Sequence, residues 1–180
     1  MCDAPKDARS PLSGSGIDFG KFEEITYESF RRRATDPSLS LHEKVGFPDA
    51  YREGKEGLIL DDISSKLTRL SLREQVVVDI GAGCSALARL VMERCAERGH
   101  RLFQVDSPEM LELLPKVPYA KPVPGRFPDD CDELLDELRA LAEVYAANDG
   151  EADFVRIGHV LVLQDGHGLR LRSGTRDQDD

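Results

Sequence analysis

The sequence predicts an α/β fold built on an open, doubly wound sheet, and three observations predict it. The run Gln75–Ile80 (QVVVDI) is short, β-branched and almost continuously apolar, and it ends in a glycine loop. Strands buried on both faces read this way, and such strands belong to parallel sheets. Residues 85–98 (SALARLVMERCAER) follow with helical spacing, and Arg101–Val105 (RLFQV) is a second strand closed by Asp106. Strand, loop, helix and strand in that order are the repeating unit of a Rossmann-like sheet.

The remaining elements fall on either side of this unit. Residues 1–17 are polar and rich in Ser, Pro and Gly, and read as a flexible leader. Phe19–Arg33 is a candidate helix, with Phe22, Ile25, Phe30 and Ala34 at near-helical spacing. Asp36-Pro37-Ser38 signals a turn, and residues 39–51 read as an irregular connection. A second amphipathic helix is expected from Tyr51 to Arg69, with Leu58, Ile59, Ile63, Leu67 and Leu70 on its apolar side. The helix over 85–98 carries Leu87, Leu90, Val91 and Cys95 inward, with Gly99 just past its end. Ser107 caps a short helix that starts at Pro108 and runs to Leu114.

Pro118–Pro124 is a third strand, made short or irregular by its prolines. Asp129–Ala147 is a helix with Leu134, Leu135, Leu138, Leu141 and Val144 on one face, ended by Asn148-Asp149-Gly150. Phe154–Leu163 and Leu169–Leu171 flank a turn over 164–168 and read as a β-hairpin. The expected organisation is a leader over 1–17, a helical lead over 18–72 and a cofactor-binding half over 73–147. A divergent hairpin over 148–172 and a polar tail over 173–180 complete it.

Composition narrows the function classes. With 24 Lys and Arg against 34 Asp and Glu, the net charge is -10, which argues against a general nucleic-acid backbone binder. Cys2, Cys84, Cys95 and Cys131 show no metal-ligand spacing, so no metal is expected and the thiols read as reduced. Cys84 lies inside the glycine loop, either as a reactive thiol or, the favoured reading, as a small residue that fits there. No apolar run suggests a signal peptide or a membrane span, so a cytoplasmic location without membrane partners is expected.

The chemistry is concentrated in Val76–Ala86 (VVVDIGAGCSA). Gly81 turns the chain off the strand, and Gly83 lacks the Cβ that would block a ligand's approach to the backbone. The helix beginning near Ser85 directs free amides and its positive end at the same space. Asp106, at the end of the adjacent strand, is placed to accept hydrogen bonds from the two hydroxyls of a ribose. Gly81, Gly83 and Ala86 satisfy a dinucleotide-binding pattern formally, which keeps an NAD(P)-dependent oxidoreductase open. Asp79 favours another ligand, because a carboxylate at the strand's mouth repels a pyrophosphate and suits a cationic cofactor.

VVVDIGAGCSALA followed by LFQVDSPEML resembles motifs I and II of class I S-adenosylmethionine-dependent methyltransferases. The text DPSLSLHEKVGFPDAYREGKE is similar to the lead-in of a bacterial group of these enzymes associated with polysaccharide or sugar modification. The resemblance covers about Phe19 to Arg139. It implies that Asp79, Gly81 and Gly83 hold the methionine end of S-adenosylmethionine and Asp106 its ribose. It places Arg126 and Phe127, in the loop after the third strand, beside the adenine. Read without it, Arg126 is as well explained as a surface cation and Phe127 as core.

The resemblance breaks toward the C-terminus, since a complete class I core has seven strands and only about 74 residues follow Asp106. The text beyond residue 140 is read in three ways: a truncated or frame-shifted end, a hairpin capping a shortened sheet, or a fold completed by a second copy or a partner chain. The polar, charged tail favours the first. His159, on the candidate fourth strand, is the candidate catalytic base, although a half-buried strand histidine needs no chemical role and is the favoured reading. His42, Glu43, Tyr51, Arg52 and Lys55 lie in the lead-in. Arg52 or Lys55 is a candidate for binding a carboxylate or acidic substrate, set against ordinary solvated helix charge, which is favoured. The expected function is methyl transfer from S-adenosylmethionine to a small molecule or a sugar intermediate, with a catalytically incomplete cofactor-binding relative as the alternative.

Overall fold

The computed structural model describes residues 26–147, 152–157 and 160–165, so the leader, His159 and the tail lie outside the described residues. The helical lead comprises α1 (Tyr27–Thr35), α2 (Leu41–Lys44), α3 (Asp49–Arg52) and α4 (Glu56–Lys66). The sheet region comprises β1 (Val76–Ile80), α5 (Ala86–Arg98), β2 (Arg101–Asp106), α6 (Pro108–Leu111), β3 (Ala120–Pro124) and α7 (Asp132–Ala147). Two further strands follow, β4 (Ala152–Ile157) and β5 (Val160–Asp165). The strand order is β3-β2-β1-β5-β4.

Three adjacent strands, β3, β2 and β1, are parallel, as the apolar, β-branched β1 predicts. Val77 pairs with Leu102 and Val78 with Phe103 across β1 and β2, and Val105 pairs with Val123 across β2 and β3. Alternation along these strands feeds two separate cores. Val77 and Leu102 pack with Val91, Met92 and Cys95 of α5 and with Leu60, Leu67 and Leu70. Val76, Val78, Phe103 and Val105 pack on the other face with Leu134 and Leu138 of α7. The parallel strands are thus covered on both sides. Among the described residues, proline-rich β3 pairs only with β2, at the sheet margin where a missing N–H is tolerated.

Several boundaries differ from the sequence reading. Among the described residues, the first helix starts at Tyr27, capped by a reciprocal box between Thr26 and Ser29, and the expected start over 19–25 lies outside the described residues. The connection over 39–51 contains α2, capped by Ser40 and Glu43, and most of α3. The helix expected from Tyr51 to Arg69 is broken at Gly54, whose φ is +76°, into α3 and α4, and a 3-10 turn follows at Thr68–Ser71. Leu58 is 71% exposed, whereas Leu60 is buried. The two are about 200° apart around a helix, so they cannot share a face. The short helix after Ser107 stops at Leu111 rather than Leu114, though Ser107 caps it as expected. α7 starts at Asp132, since Asp130 is held in the preceding turn, accepting from the Arg126 N–H at 2.9 Å.

The run expected as one strand over Phe154–Leu163 is two antiparallel strands, and Gln164 and Asp165 extend β5 instead of forming a turn. Residues 166–171 lie outside the described residues. β5 also pairs antiparallel with β1, Val78 opposite Leu161, so the β1 edge that a half-sheet would leave bare is covered. No described helix is long and apolar enough to cross a membrane.

Buried polar groups hold the ends of the elements. The Lys44 ammonium, 7% exposed, donates to the carbonyls of Arg33, Ala34 and Asp36 at 2.6–3.2 Å and so closes the C-terminus of α1. His100 Nδ1 accepts from the Gln75 N–H at 3.0 Å, and its Nε2 donates to the Leu70 carbonyl at 3.1 Å. Burial lowers its pKa, so the neutral ring is a structural link between the lead and the sheet. Gly99 adopts φ +70° at the end of α5, the left-handed cap expected from the sequence.

Candidate functional site

The carboxyl ends of β1 and β2 open onto a cavity of about 710 Å³, within the usual size of a small-molecule site. Its lining brings together Asp79, Gly81, Gly83, Asp106, Arg126 and Phe127, all six positions singled out for a cofactor. His159 lies outside the described residues, and among the described residues no cluster of three or more metal-ligating side chains occurs.

The glycine loop is built by backbone bonds to β2. The N–H groups of Gly81 and Ala82 donate to the Val105 carbonyl at 2.7 and 3.3 Å. Gly81 and Gly83 have φ of +71° and +66°, values that side chains resist. The tight approach at Gly83 is internal: a Cβ there would lie 2.7 Å from Val45 Cγ1. Packing against Val45 is thus a reason for glycine here beyond the ligand approach expected from the sequence. The loop then leads into α5. The Ser85 side chain makes no capping bond, and Ser85, Leu87 and Ala88 all line the cavity.

Asp106 is the hub of the three loops. One carboxylate oxygen accepts from the Gly83 N–H at 2.8 Å, the other accepts from the Ser107 N–H at 2.7 Å, and the Asp106 carbonyl accepts from Gly125 N–H at 2.9 Å. These bonds fix the carboxylate's orientation at the cavity wall.

Asp79 is in a different environment. It is 5% exposed, and no described side chain forms an ion pair with it. Burial, with a smaller contribution from the negative charge of Asp106, pushes its pKa up to about 7. The two carboxyls at the strand ends therefore differ: one is fixed by amides, the other is buried and poised to change charge near neutrality.

The lead contributes to the rest of the described wall. Tyr27 and Phe30 of α1, Val45 and Phe47 after α2, Arg52 of α3 and Ile59 and Ile63 of α4 all line the cavity. Arg126, exposed, stacks its guanidinium 5.2 Å from the centre of the Tyr27 ring. Half-buried Phe127 lines the cavity and also packs against the core facing α7, so its two sequence readings are compatible. Arg31 grips Glu109 through its Nε and a terminal nitrogen, the shorter contact being 2.6 Å, which ties α1 to α6 and holds the Glu109 carboxyl down at about 2.

Of the five lead-in residues singled out, Arg52 alone lines the cavity. His42 sits between two acids, Nδ1 at 3.1 Å from Asp49 and Nε2 at 2.7 Å from Glu56, the latter close but not aligned as a hydrogen bond. Glu43 completes the α2 cap, Lys55 donates to the Tyr51 carbonyl at 3.1 Å, and Tyr51 is exposed. Cys84 is fully buried and burial pushes its thiol up to about 11, which rules against the reactive reading. The sequence reading missed Tyr27, Phe47 and Val45. Nothing local marks them, because they reach the site only through packing of the lead.

Set against family models, curated proteins and solved structures, the chain matches none.

Proposed function

We propose that the chain binds S-adenosylmethionine in this cavity, on a Rossmann-like half-sheet, as a methyltransferase for a small molecule or a sugar or polysaccharide intermediate. The observation that carries the reading is Asp79, a buried carboxyl facing the cavity with no cation against it among the described residues. Such a group fits a positively charged ligand, which would favour its ionised form. Together with Asp106 it disfavours the pyrophosphate of a nicotinamide dinucleotide.

The bound cofactor supplies an electrophilic methyl group on a cationic sulfur. Asp79 faces that positive charge, the fixed Asp106 carboxylate suits vicinal hydroxyls, and the first-turn amides of α5 suit the methionine carboxylate. Arg126 and Phe127 flank the adenine.

One observation favours a cofactor binder without transfer activity. Antiparallel β5 occupies the edge of β1, beside which the resembling enzymes build the strands of their acceptor side. Thermal shift with S-adenosylhomocysteine, NAD and NADP separates the readings at the level of the ligand. Stabilisation by S-adenosylhomocysteine alone, lost in Asp79→Ala, is expected; stabilisation by a dinucleotide alone overturns the proposal. Transfer of labelled methyl into a cell extract then distinguishes an enzyme from a binder.

A further inference from the structure

Arg52 lines the same cavity as the strand-end carboxyls, and its guanidinium forms no ion pair among the described residues. It is half-buried and stacked 3.8 Å from the centre of the Phe47 ring, which itself stacks with Tyr51 at 6.1 Å. The neighbouring acids are engaged elsewhere. Glu56 lies against His42 at 2.7 Å, Asp62 pairs with Lys66 at 2.5 Å, and Asp49 accepts from Ser40 at 2.5 Å. Burial lowers the Arg52 pKa, and the nearby Glu56 charge offsets this only in part, without forming an ion pair with the guanidinium. A planar guanidinium held by an aromatic face keeps its N–H edge available for a bidentate oxyanion.

We infer that Arg52 is the anchor for a second ligand, an oxyanion-bearing methyl acceptor carrying a carboxylate or phosphate, seated between the lead and the cofactor. The inference rests on the cofactor reading for the identity of the other occupant. The cofactor's own carboxylate has a separate place at the uncapped first turn of α5, whose residues Ser85, Leu87 and Ala88 line the cavity. Arg52, carried by α3 rather than by the strand ends, is left for the acceptor. Its partnerless cationic edge makes a neutral acceptor the poorer fit, since that edge would stay desolvated and unpaired.

The test uses the full chain saturated with S-adenosylhomocysteine. Acetate and inorganic phosphate are titrated separately, at ionic strength matched with sodium chloride, while the side-chain Nε–H resonance of Arg52 is followed by NMR. The resonance is assigned by its disappearance in Arg52→Lys. A saturable shift with at least one oxyanion is expected, and the stronger of the two identifies the acceptor's group. Arg52→Gln should weaken that oxyanion about 10-fold or more by calorimetry, an effect of the size expected for a lost charge-assisted pair. The same variant should leave the affinities for S-adenosylhomocysteine and for methylthioadenosine, which lacks the amino-acid end, unchanged.

No saturable shift with either anion overturns the inference. So does loss of affinity in Arg52→Gln for S-adenosylhomocysteine but not methylthioadenosine, which would assign Arg52 to the cofactor's carboxylate. Unchanged amide spectra of Arg52→Gln establish that it folds. Failure of S-adenosylhomocysteine to bind the wild-type chain sinks the cofactor reading instead, and the oxyanion titration of the free protein still reports on Arg52.

Discussion

Asp79 and Gly83 show how single residues serve both the fold and the cavity. Burial raises Asp79 from an ordinary value of 3.8 to about 7. Between those values the unfolded chain has released a proton that the folded chain keeps, so stability falls as pH rises through that window and levels off above it. A shift of this size corresponds to about 4 kcal/mol at most. Asp79→Asn is expected to remove the slope and to exceed wild type in stability above about pH 7 in urea melts. Affinity for S-adenosylmethionine should move in the opposite direction, rising through neutrality as the carboxyl ionises. Calorimetry in buffers of different ionisation enthalpy should detect proton release on binding below about pH 7; a pH-independent affinity excludes Asp79 as the group facing the cation. Gly83→Ala meets both a left-handed φ and Val45, and should cost about 1–3 kcal/mol. Adding Val45→Ala should recover the steric part, and strictly additive losses would show that the contact is unimportant. Asp79 and the glycines could be picked out in the text because charge and conformational freedom are local properties. Val45 could not, since its meeting with Gly83 joins residues far apart in sequence.

The elements of the lead matter through their ends. α1 is stopped at one end by the Thr26–Ser29 box and at the other by Lys44, whose ammonium takes two carbonyls of its last turn and that of the cap residue Asp36. Lys44→Met keeps the aliphatic stem but removes the ammonium from all three carbonyls, of which those of Arg33 and Asp36 still accept from the Asp36 and Leu39 N–H groups, and should lower stability by about 1–3 kcal/mol. Amide exchange over Tyr27–Thr35 should accelerate selectively, whereas protection equal to wild type would mean that the cap is dispensable. α1 also delivers Tyr27 to the cavity, so a frayed α1 should weaken ligand binding as well. The strands and α5 were legible because each carries its own period over enough residues. The lead was less so: α2 and α3 are single turns, and Gly54 divides what the apolar spacing alone joins into one helix.

The whole molecule is a three-layer packing in which the lead and α5 cover one face of the parallel strands and α7 the other. Leu70, fully buried where the lead meets the sheet, should cost about 2–5 kcal/mol on truncation to Ala. Leu58→Lys, on an exposed position that hydropathy alone assigns to the core, should change stability by no more than about 0.5 kcal/mol. Equal effects of the two changes in denaturant melts would contradict this assignment of the lead's buried face. The sequence by itself determined the parallel β1–α5–β2 unit, the turn at its glycines and the two carboxyls that its strand ends present. Periodicity, chirality and backbone freedom act over a few residues and leave a readable trace. Only the tertiary structure decided which side of α4 is buried, that β5 pairs antiparallel beside β1, and that Arg52 and Tyr27 line one cavity with Asp79 and Asp106. Those outcomes depend on contacts between distant segments, whose free energy is settled by packing and desolvation and leaves no periodic signal in the chain.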